Sequence, residues 1–210
     1  MLKFYHAPWS RSSNVLWLME ELGQPYDVEL VDIRADVPEA YRNIQPNKKV
    51  PAIAHDGVVV TERAAISIYL ADAFPQAGLA PKIGDPARAA YLTWLVYADS
   101  VFDPAVALHT LKVDYAPSGV SFGSYEDLLA NLERRLSAHE YVAGDRFTAA
   151  DVQIAGSMGY VMQQGWLEER PGFKAYVERC SSRPAALRAQ EKDMVWARDV
   201  PAFAEMFKGQ

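Results

Sequence analysis

A single cysteine, Cys180, occurs among the 210 residues of the chain. One cysteine cannot form an intrachain disulfide, a Cys-x-x-Cys redox pair or a cysteine-based zinc site. We therefore expect a cytoplasmic protein in which Cys180 is a small buried apolar residue. The histidines are scattered without the spacing of metal ligands, so no bound metal is expected. They are His6, His55, His109 and His139.

The chain also lacks long apolar runs and an excess of basic residues. Its apolar stretches, such as Val15–Met19 and Leu92–Ala98, are too short to cross a bilayer, and residues 1–8 lack the apolar core of a signal peptide. The 27 acidic residues outnumber the 21 basic ones, which gives a formal net charge of −6. We therefore expect neither a membrane nor a nucleic acid as a partner. A hydrophobic content of 50% is typical of a globular protein.

The first third of the chain mixes strand and helix patterns. Strands are predicted at Leu2–His6 and Tyr26–Val31, on either side of a helix at Val15–Leu22 that stops at Gly23. A weak helix is predicted at Pro38–Ile44.

A hairpin and a third helix complete this part. The turn signal Asp56-Gly57 separates the strands Ala52–His55 and Val58–Val60, and Ala64–Phe74 is predicted as a helix. In the resulting order β-α-β-α-β-β-α, the first two strands form a parallel pair and the hairpin adds an antiparallel edge.

Only helices are predicted beyond Pro75–Gly84, a stretch rich in proline, glycine and alanine that we interpret as a linker. Asp85-Pro86 begins a long helix that Pro104 should kink. The predicted fold class is an α/β domain, residues 1–76, followed by an all-helical domain, residues 85–210. The later helices begin after Ser124 and Thr148 or cover Phe173–Ser181 and Pro184–Lys192.

The helix that begins after Thr148 has the pattern of a capping box. The Thr148 side chain can accept a hydrogen bond from the Asp151 amide, and the Asp151 carboxylate can accept one from the Thr148 amide. We interpret both residues as structural.

Two short segments of the first third are candidates for binding. Val50-Pro51 precedes the third strand, where a trans turn proline is the common alternative. The more specific alternative is a cis proline that exposes the Val50 backbone to an extended peptide. At Thr61-Glu62-Arg63-Ala64 a helix begins, and its free amides attract anions, although Glu62 can simply complement the dipole of its own helix.

A third candidate segment, Ala7–Asn14, lies between the first strand and the first helix. Several hydroxyls and free amides meet there, although Ser10 or Ser12 can be a plain helix cap. The absence of G-x-S-x-G and of a glycine-rich phosphate loop argues against a hydrolase or a kinase.

Together these segments resemble the cytosolic glutathione transferases, in a bacterial, serine-type form with theta-like features. The similar runs are Asn43-Ile-Gln-Pro-Asn-Lys-Lys-Val-Pro51-Ala-Ile, Asp56-Gly57, Thr61-Glu62-Arg63-Ala-Ala-Ile-Ser-Ile-Tyr-Leu70 and the capping motif Phe147-Thr-Ala-Ala-Asp151. The resemblance covers the whole chain in order and spacing. It implies a thioredoxin-like N-terminal domain, an all-helical C-terminal domain and glutathione as the co-substrate.

The resemblance also implies which residues bind glutathione. The backbone of Val50, before Pro51, would pair with the cysteinyl part. Glu62 and Arg63 would hold the γ-glutamyl end, and Lys49, less surely Lys48, would meet the glycyl carboxylate. Most relatives have serine where Arg63 stands, so Arg63 either grips the γ-glutamyl carboxylate or points to solvent.

For the catalytic residue, the resemblance favours Ser10, which aligns with the hydroxyl of the serine-using classes. Ser12, Ser13 and Tyr5 are the alternatives, since Tyr5 lies in the strand where other classes carry their tyrosine. A hydroxyl that donates to the sulfur, beside the positive end of a helix, favours the thiolate that attacks an electrophilic carbon.

The electrophile pocket is expected between the domains. Its candidate residues, each with plain helix packing as the alternative, are Trp9 and, on the kinked helix, Tyr97, Phe102, His109 and Tyr115. The implied function is a homodimeric glutathione transferase that detoxifies small, mostly apolar electrophiles. Two alternatives stay open: a non-enzymatic binding or regulatory relative, and a glutathione-dependent reductase, dehalogenase or isomerase on the same scaffold.

Overall fold

A computed structural model describes residues 1–207 of the chain. The internal contacts divide the chain into two compact units. The first unit combines residues 1–77 with the chain from residue 183 onward, and the second comprises residues 78–182. This grouping follows contacts in space, so the domain bounds 1–76 and 85–210 stay a prediction.

The first unit is built on a four-stranded sheet in the order β2-β1-β3-β4. β1 and β2 are parallel, and the other two pairs are antiparallel, as predicted. Asp56 and Gly57 have φ angles of 49° and 86°, which suit the two-residue hairpin between β3 and β4. The strands are β1 (Leu2–His6), β2 (Asp27–Leu30), β3 (Ala52–His55) and β4 (Val58–Thr61).

The α-helices follow the predicted order along the chain. They are α1 (Ser12–Leu22), α2 (Glu39–Arg42), α3 (Arg63–Ala73), α4 (Ala87–Tyr97), α5 (Asp103–Thr110), α6 (Tyr125–Ala138), α7 (Ala149–Gln163), α8 (Pro171–Ser181) and α9 (Pro184–Ala197). Gly23 ends α1 with a φ of 64°, as its sequence predicts. Three helices are longer than predicted: α1 begins before Val15, α8 begins before Phe173, and α9 continues past Lys192.

In the first unit, α1 packs against α9. Glu20 of α1 is 9% exposed and accepts hydrogen bonds from Arg188 at 3.0 Å, from Lys192 at 2.5 Å and from Tyr26 at 2.5 Å. Burial alone would raise the pKa of Glu20, but these donors outweigh it and lower the pKa below the usual value.

The long helix predicted after Asp85 is interrupted in the structure. Asp85 does accept a hydrogen bond from the Ala87 amide at 2.9 Å. A π-helical turn, Ala98–Phe102, then separates α4 from α5. Pro104 follows this turn and has no N–H to donate, so the wider turn accommodates the missing hydrogen bond.

The segments that follow α5 and precede α4 both differ from the prediction. Tyr115 is not on the helix, because Lys112 adopts a φ of 54° and the Val113 amide bonds the Leu108 carbonyl at 3.0 Å, which ends α5. The predicted linker Pro75–Gly84 is also partly packed. Leu79 is 3% exposed, and its carbonyl accepts a hydrogen bond from the Ala149 amide at 2.9 Å.

The predicted capping box at Thr148 is present, and a similar one begins α6 at Ser124. Asp151 accepts a hydrogen bond from the Thr148 amide at 2.9 Å, and it also accepts from the Val142 amide at 2.8 Å and from the Tyr176 hydroxyl at 3.0 Å. This fully buried carboxylate therefore ties three segments together. Cys180 is buried, as predicted. Within residues 1–207, no helix is long and apolar enough to cross a membrane, and no cluster of three His, Cys, Asp or Glu side chains could hold a metal ion.

Candidate functional site

The strand register brings three polar segments to one end of the sheet in the first unit. Tyr5 of β1 pairs with Ala52 of β3 in antiparallel fashion, so the chain after β1 runs beside the chain before β3. Thr61, the last residue of β4, also pairs with Ala52, which brings the start of α3 to the same end. Residues 7–14, 49–51 and 61–64 thus lie together.

Ser10, in the loop after β1, and Ser12, the first residue of α1, form a pair of hydroxyls. Their Oγ atoms lie 2.8 Å apart. The Ser12 amide donates to Ser10 Oγ at 3.1 Å, and the Ala7 amide donates to Ser12 Oγ at 3.1 Å. The Ala7 carbonyl can accept from either hydroxyl, at 2.8 Å from Ser10 and 3.1 Å from Ser12.

Burial separates the three candidate serines. Ser12 is fully buried, and the Ser13 hydroxyl is buried with no hydrogen-bond partner within residues 1–207. Ser10 is partly exposed and stands beside the first turn of α1. Burial thus disfavours Ser12 and the Ser13 hydroxyl, and the catalytic role of Ser10 stays a prediction.

His6 connects this hydroxyl pair to the last helix. The imidazole is fully buried, with Nδ1 2.7 Å from Ser12 Oγ and Nε2 3.0 Å from Asp193 Oδ1. Asp193 lies on α9 and also accepts a hydrogen bond from the Trp9 amide at 3.2 Å. The sequence does not predict the contact between His6 and Asp193, because these residues are 187 positions apart.

Trp9 directly precedes Ser10 in the loop after β1. It adopts a φ of 52°, and its ring packs against Phe203 and Phe207 with centroid distances of 4.6 and 5.6 Å. Arg34 donates to the Pro8 carbonyl at 3.1 Å and to the Trp9 carbonyl at 3.3 Å. Side chains from two other segments thus contact this loop. A role of Trp9 in the electrophile pocket stays a prediction.

The segment before β3 contains the second predicted feature. The Val50–Pro51 peptide is cis, which is the more specific of the two alternatives. The Tyr41 hydroxyl donates to the Lys49 carbonyl at 2.6 Å. Burial and the neighbouring Tyr5 raise the pKa of Tyr41, so its phenol keeps the proton that it donates. Lys48 has a φ of 58°, and both lysine side chains are exposed.

The start of α3 contains the third predicted feature. Glu62 is exposed, adopts a φ of 67° and directly precedes the helix. The buried Gln45 amide donates to the Glu62 carboxylate at 3.4 Å, a contact that the sequence did not predict. Arg63 is 5% exposed, so the alternative in which it points to solvent is wrong.

Tyr5, the alternative catalytic residue, lies on the other face of the sheet from His6, because successive strand side chains alternate. Its ring packs against Tyr41 at a centroid distance of 5.3 Å, in a core cluster that includes Ala7 and Val50. Tyr5 is 7% exposed. Its position supports the packing of the two loops rather than contact with the serine hydroxyls.

The other predicted pocket residues lie in the second unit. Phe102 is fully buried in the π-helical turn, and Tyr97 packs on Trp94 at a centroid distance of 4.8 Å. His109 stacks on Tyr125 with centroids 3.6 Å apart. The Tyr115 hydroxyl donates to the Gly123 carbonyl at 2.9 Å, in the loop beyond α5. Packing explains each position, and a ligand role stays a prediction.

A four-stranded mixed sheet with flanking helices, followed by a helical segment, defines a thioredoxin-like domain with an all-helical continuation. Residues 4–78 match the family model for the glutathione S-transferase N-terminal domain, and residues 122–184 match the model for the C-terminal domain. The chain belongs to the family of cytosolic glutathione transferases.

Individual relatives agree with this assignment. The chain is 28% identical to glutathione S-transferase 3 of Schizosaccharomyces pombe, over 91% of this chain and 88% of that protein. It is 30% identical to a glutathione S-transferase of Arabidopsis thaliana, over 71% and 75% of the two chains. Among solved structures, it is similar to a sphingomonad glutathione S-transferase complexed with glutathione, with a TM-score of 0.77 and 27% identity over 92% of this chain and 99% of that one.

Proposed function

We propose that the protein is a glutathione transferase in which the Ser10 hydroxyl donates a hydrogen bond to the glutathione sulfur. A free thiol has a pKa of about 8.5 and is mostly protonated at neutral pH. A donor at the sulfur, beside the positive end of α1, lowers that pKa and favours the nucleophilic thiolate. The observation that carries the proposal is the partly exposed Ser10, which is hydrogen-bonded to the buried Ser12 at the start of α1.

In this proposal the other two loops hold the tripeptide. The Val50 backbone, before Pro51, pairs with the cysteinyl part, and Glu62 with the start of α3 holds the γ-glutamyl end. Lys49, with Lys48 as the alternative, meets the glycyl carboxylate. The backbone amide of Arg63 contributes at the helix start, and contact of its side chain with the γ-glutamyl carboxylate stays an alternative.

The reaction follows from these placements. The thiolate attacks an electrophilic carbon of a small, mostly apolar substrate, and the protein gains rate by ionising the sulfur and by holding both reactants together. Ser10 acts as a hydrogen-bond donor and not as a nucleophile. Retention on glutathione-agarose together with turnover of chlorodinitrobenzene tests this function, and retention without turnover of any electrophile favours the non-enzymatic alternative.

A pair of serine variants tests the role of Ser10. We expect Ser10→Ala to lower kcat about tenfold to a hundredfold, since a hydrogen bond to a charged group contributes about 1.5–3 kcal/mol, while KM for glutathione changes little. The control is Ser13→Ala, which removes a buried hydroxyl three positions along the chain and should leave kcat unchanged. Equal losses in the two variants would reject the assignment.

We also propose that the protein is a cytoplasmic homodimer. The family resemblance implies the dimer, and a mostly apolar surface groove of the first unit, between β4 and α3, is a suitable contact face. Sedimentation equilibrium of the purified protein checks it, and a monomer at micromolar concentration would contradict it. The groove is lined by Val60, Ala65, Ile68, Tyr69, Asp72 and Ala73.

A further inference from the structure

The serine hydroxyls, His6 and Asp193 form one continuous hydrogen-bonded chain in the first unit. It runs from Ser10 Oγ to Ser12 Oγ at 2.8 Å, from there to His6 Nδ1 at 2.7 Å, and from His6 Nε2 to Asp193 Oδ1 at 3.0 Å. His6 and Ser12 are fully buried, whereas Ser10 is partly exposed. The chain thus joins a partly exposed serine to a buried imidazole.

The hydrogen-bond chemistry of the chain orients the hydrogens at its His6 end. A carboxylate only accepts, so His6 Nε2 carries a hydrogen toward Asp193 and Nδ1 of the neutral ring accepts from Ser12. Ser12 Oγ then accepts from the Ala7 amide and can accept from the Ser10 hydroxyl at 2.8 Å, for which the Ala7 carbonyl is an equally close second acceptor. Ser10 Oγ accepts from the Ser12 amide and has one lone pair left for an incoming donor.

A Ser-His-Asp arrangement can also activate a serine nucleophile, but the burial excludes that use for Ser12. Ser12 has no exposed surface, so its oxygen cannot reach a carbonyl carbon of any substrate. The histidine base therefore acts through the hydroxyls on a proton that arrives at Ser10.

We propose that His6 accepts the proton of the glutathione thiol through Ser10 and Ser12. The S–H bond breaks as its proton moves to Ser10 Oγ, the Ser10 hydrogen moves to Ser12 Oγ, and the Ser12 hydrogen forms the new N–H bond at His6 Nδ1. The sulfur keeps the electron pair, and Ser10 donates its new hydrogen back to the thiolate. This inference rests on the proposed function, and His6 and Asp193 are positioning residues that act through the serines.

Asp193 stabilises the positive charge that the proton places on the His6 ring. Imidazole is the side chain that most readily changes charge near neutral pH, and a buried imidazolium needs a paired anion. Asp193 is that anion, with a side chain that is 8% exposed and an oxygen that also accepts from the Trp9 amide. The competing acceptor for the Ser12 hydrogen, the Ala7 carbonyl, is more distant at 3.1 Å.

Several of the other charged groups on the elements packed around β1 form ion pairs with one another. Glu20 and Glu21 of α1 pair with basic residues of the α9 segment, Glu29 of β2 pairs with Lys3, and His55 of β3 lies near Asp56. Asp193 is thus the carboxylate that contacts His6. The titratable groups on these elements are Lys3, Tyr5, Glu20, Glu21, Asp27, Glu29, His55, Arg183, Arg188, Glu191, Lys192 and Asp193, with Arg34 at the loop.

The decisive quantity is the number of protons released to solvent per thiolate formed. Glutathione is mixed with the protein in weakly buffered solution near neutral pH, thiolate is read from its ultraviolet absorbance, and protons are read with an indicator dye. S-methylglutathione, which has no thiol proton, gives the background. In the natural protein, we expect far less than one proton to be released to solvent per thiolate formed, because His6 retains the thiol proton. If the thiol instead loses its proton to solvent, about one proton is released per thiolate.

Two variants and one control complete the experiment. His6→Gln and Asp193→Asn should reduce the bound thiolate about tenfold at neutral pH, which is about one unit in the thiol pKa, and the remaining thiolate should release about one proton each. Tyr176→Phe, which removes a buried hydrogen bond to Asp151 in the second unit, should behave like the natural protein. If neither variant folds, nitrogen NMR of the His6 ring in the natural protein gives the same answer, as Nδ1 should become protonated when glutathione binds.

The outcomes separate this inference from the proposed function. About one proton per thiolate in the natural protein, or a ring that stays neutral in the complex, would overturn the relay while leaving the role of Ser10 intact. A natural protein that binds glutathione without forming any thiolate would overturn both.

Discussion

At the scale of single residues, Glu62 offers a binding role that can be separated from catalysis. Its carboxylate is exposed at the start of α3 and is steadied by the Gln45 amide. In the proposed site it pairs with the ammonium group of the γ-glutamyl end, far along the tripeptide from the sulfur. Its charge should therefore affect affinity more than turnover.

We expect Glu62→Gln to raise KM for glutathione about tenfold or more, because a charge-assisted hydrogen bond contributes about 1.5–3 kcal/mol. The value of kcat should change little. Steady-state kinetics with varied glutathione measures both constants, and Glu39→Gln, an exposed acid on α2, is the control. A lower kcat at unchanged KM would contradict a role in binding.

At the scale of elements, the contact between α1 and α9 holds the helix that carries Asp193. Arg188 and Lys192 of α9 donate to Glu20 of α1, and they lower the pKa of Glu20 below its usual value of 4.5 despite the burial that opposes this. Because the pKa of Glu20 is lower in the folded than in the unfolded protein, its ion pairs stabilise the fold fully at a pH above the pKa of the unfolded chain. This stabilisation is lost as the pH falls through the pKa of Glu20 in the folded protein.

We expect Glu20→Gln to lower the free energy of unfolding by about 1–3 kcal/mol at neutral pH. The difference from the natural protein should shrink below about pH 4.5, where Glu20 of the unfolded chain takes up a proton. Urea unfolding at several pH values measures this. Glu133→Gln removes an exposed pair with Arg170 and should cost under about 1 kcal/mol; a pH-independent difference for Glu20→Gln would contradict the account.

The capping box of α7 gives a second prediction at this scale. Thr148→Ala should lower the free energy of unfolding by about 0.5–2 kcal/mol, since it leaves a helix amide unsatisfied. It should not change KM for glutathione, because Thr148 belongs to the second unit and has a structural role. The control is Thr93→Ala, whose hydroxyl bonds a carbonyl within its own exposed helix face and should have little effect. Thermal unfolding and glutathione kinetics of both variants check this.

At the scale of the whole molecule, local patterns predicted much of the fold. Alternation predicted β2, the Asp56-Gly57 turn signal predicted the hairpin, and caps such as Thr148 predicted helix starts, because these signals depend on neighbours in the chain. The prediction that the helix continues to Tyr115 is wrong, because Lys112 adopts a left-handed backbone conformation that a lysine in the sequence does not indicate.

The candidate site was less predictable than the fold. Ser10, Val50 and Glu62 stood out through the family resemblance. His6 and Asp193 did not, because their contact joins the first strand to the last helix, and no local pattern encodes a pairing over that distance. Gln45 and the burial of Arg63 likewise depend on how the loops fold back on each other.

The most direct test of the account is the pKa of the glutathione thiol in the complex, measured by the ultraviolet absorbance of the thiolate as the pH is varied. With the natural protein, we expect the pKa of the bound thiol to lie about one unit or more below that of free glutathione. In Ser10→Ala it should return toward the free value, whereas Ser13→Ala should match the natural protein. A bound thiol that titrates like free glutathione, or one whose pKa is equally low in Ser10→Ala, would contradict the claim that the Ser10 hydroxyl stabilises the thiolate.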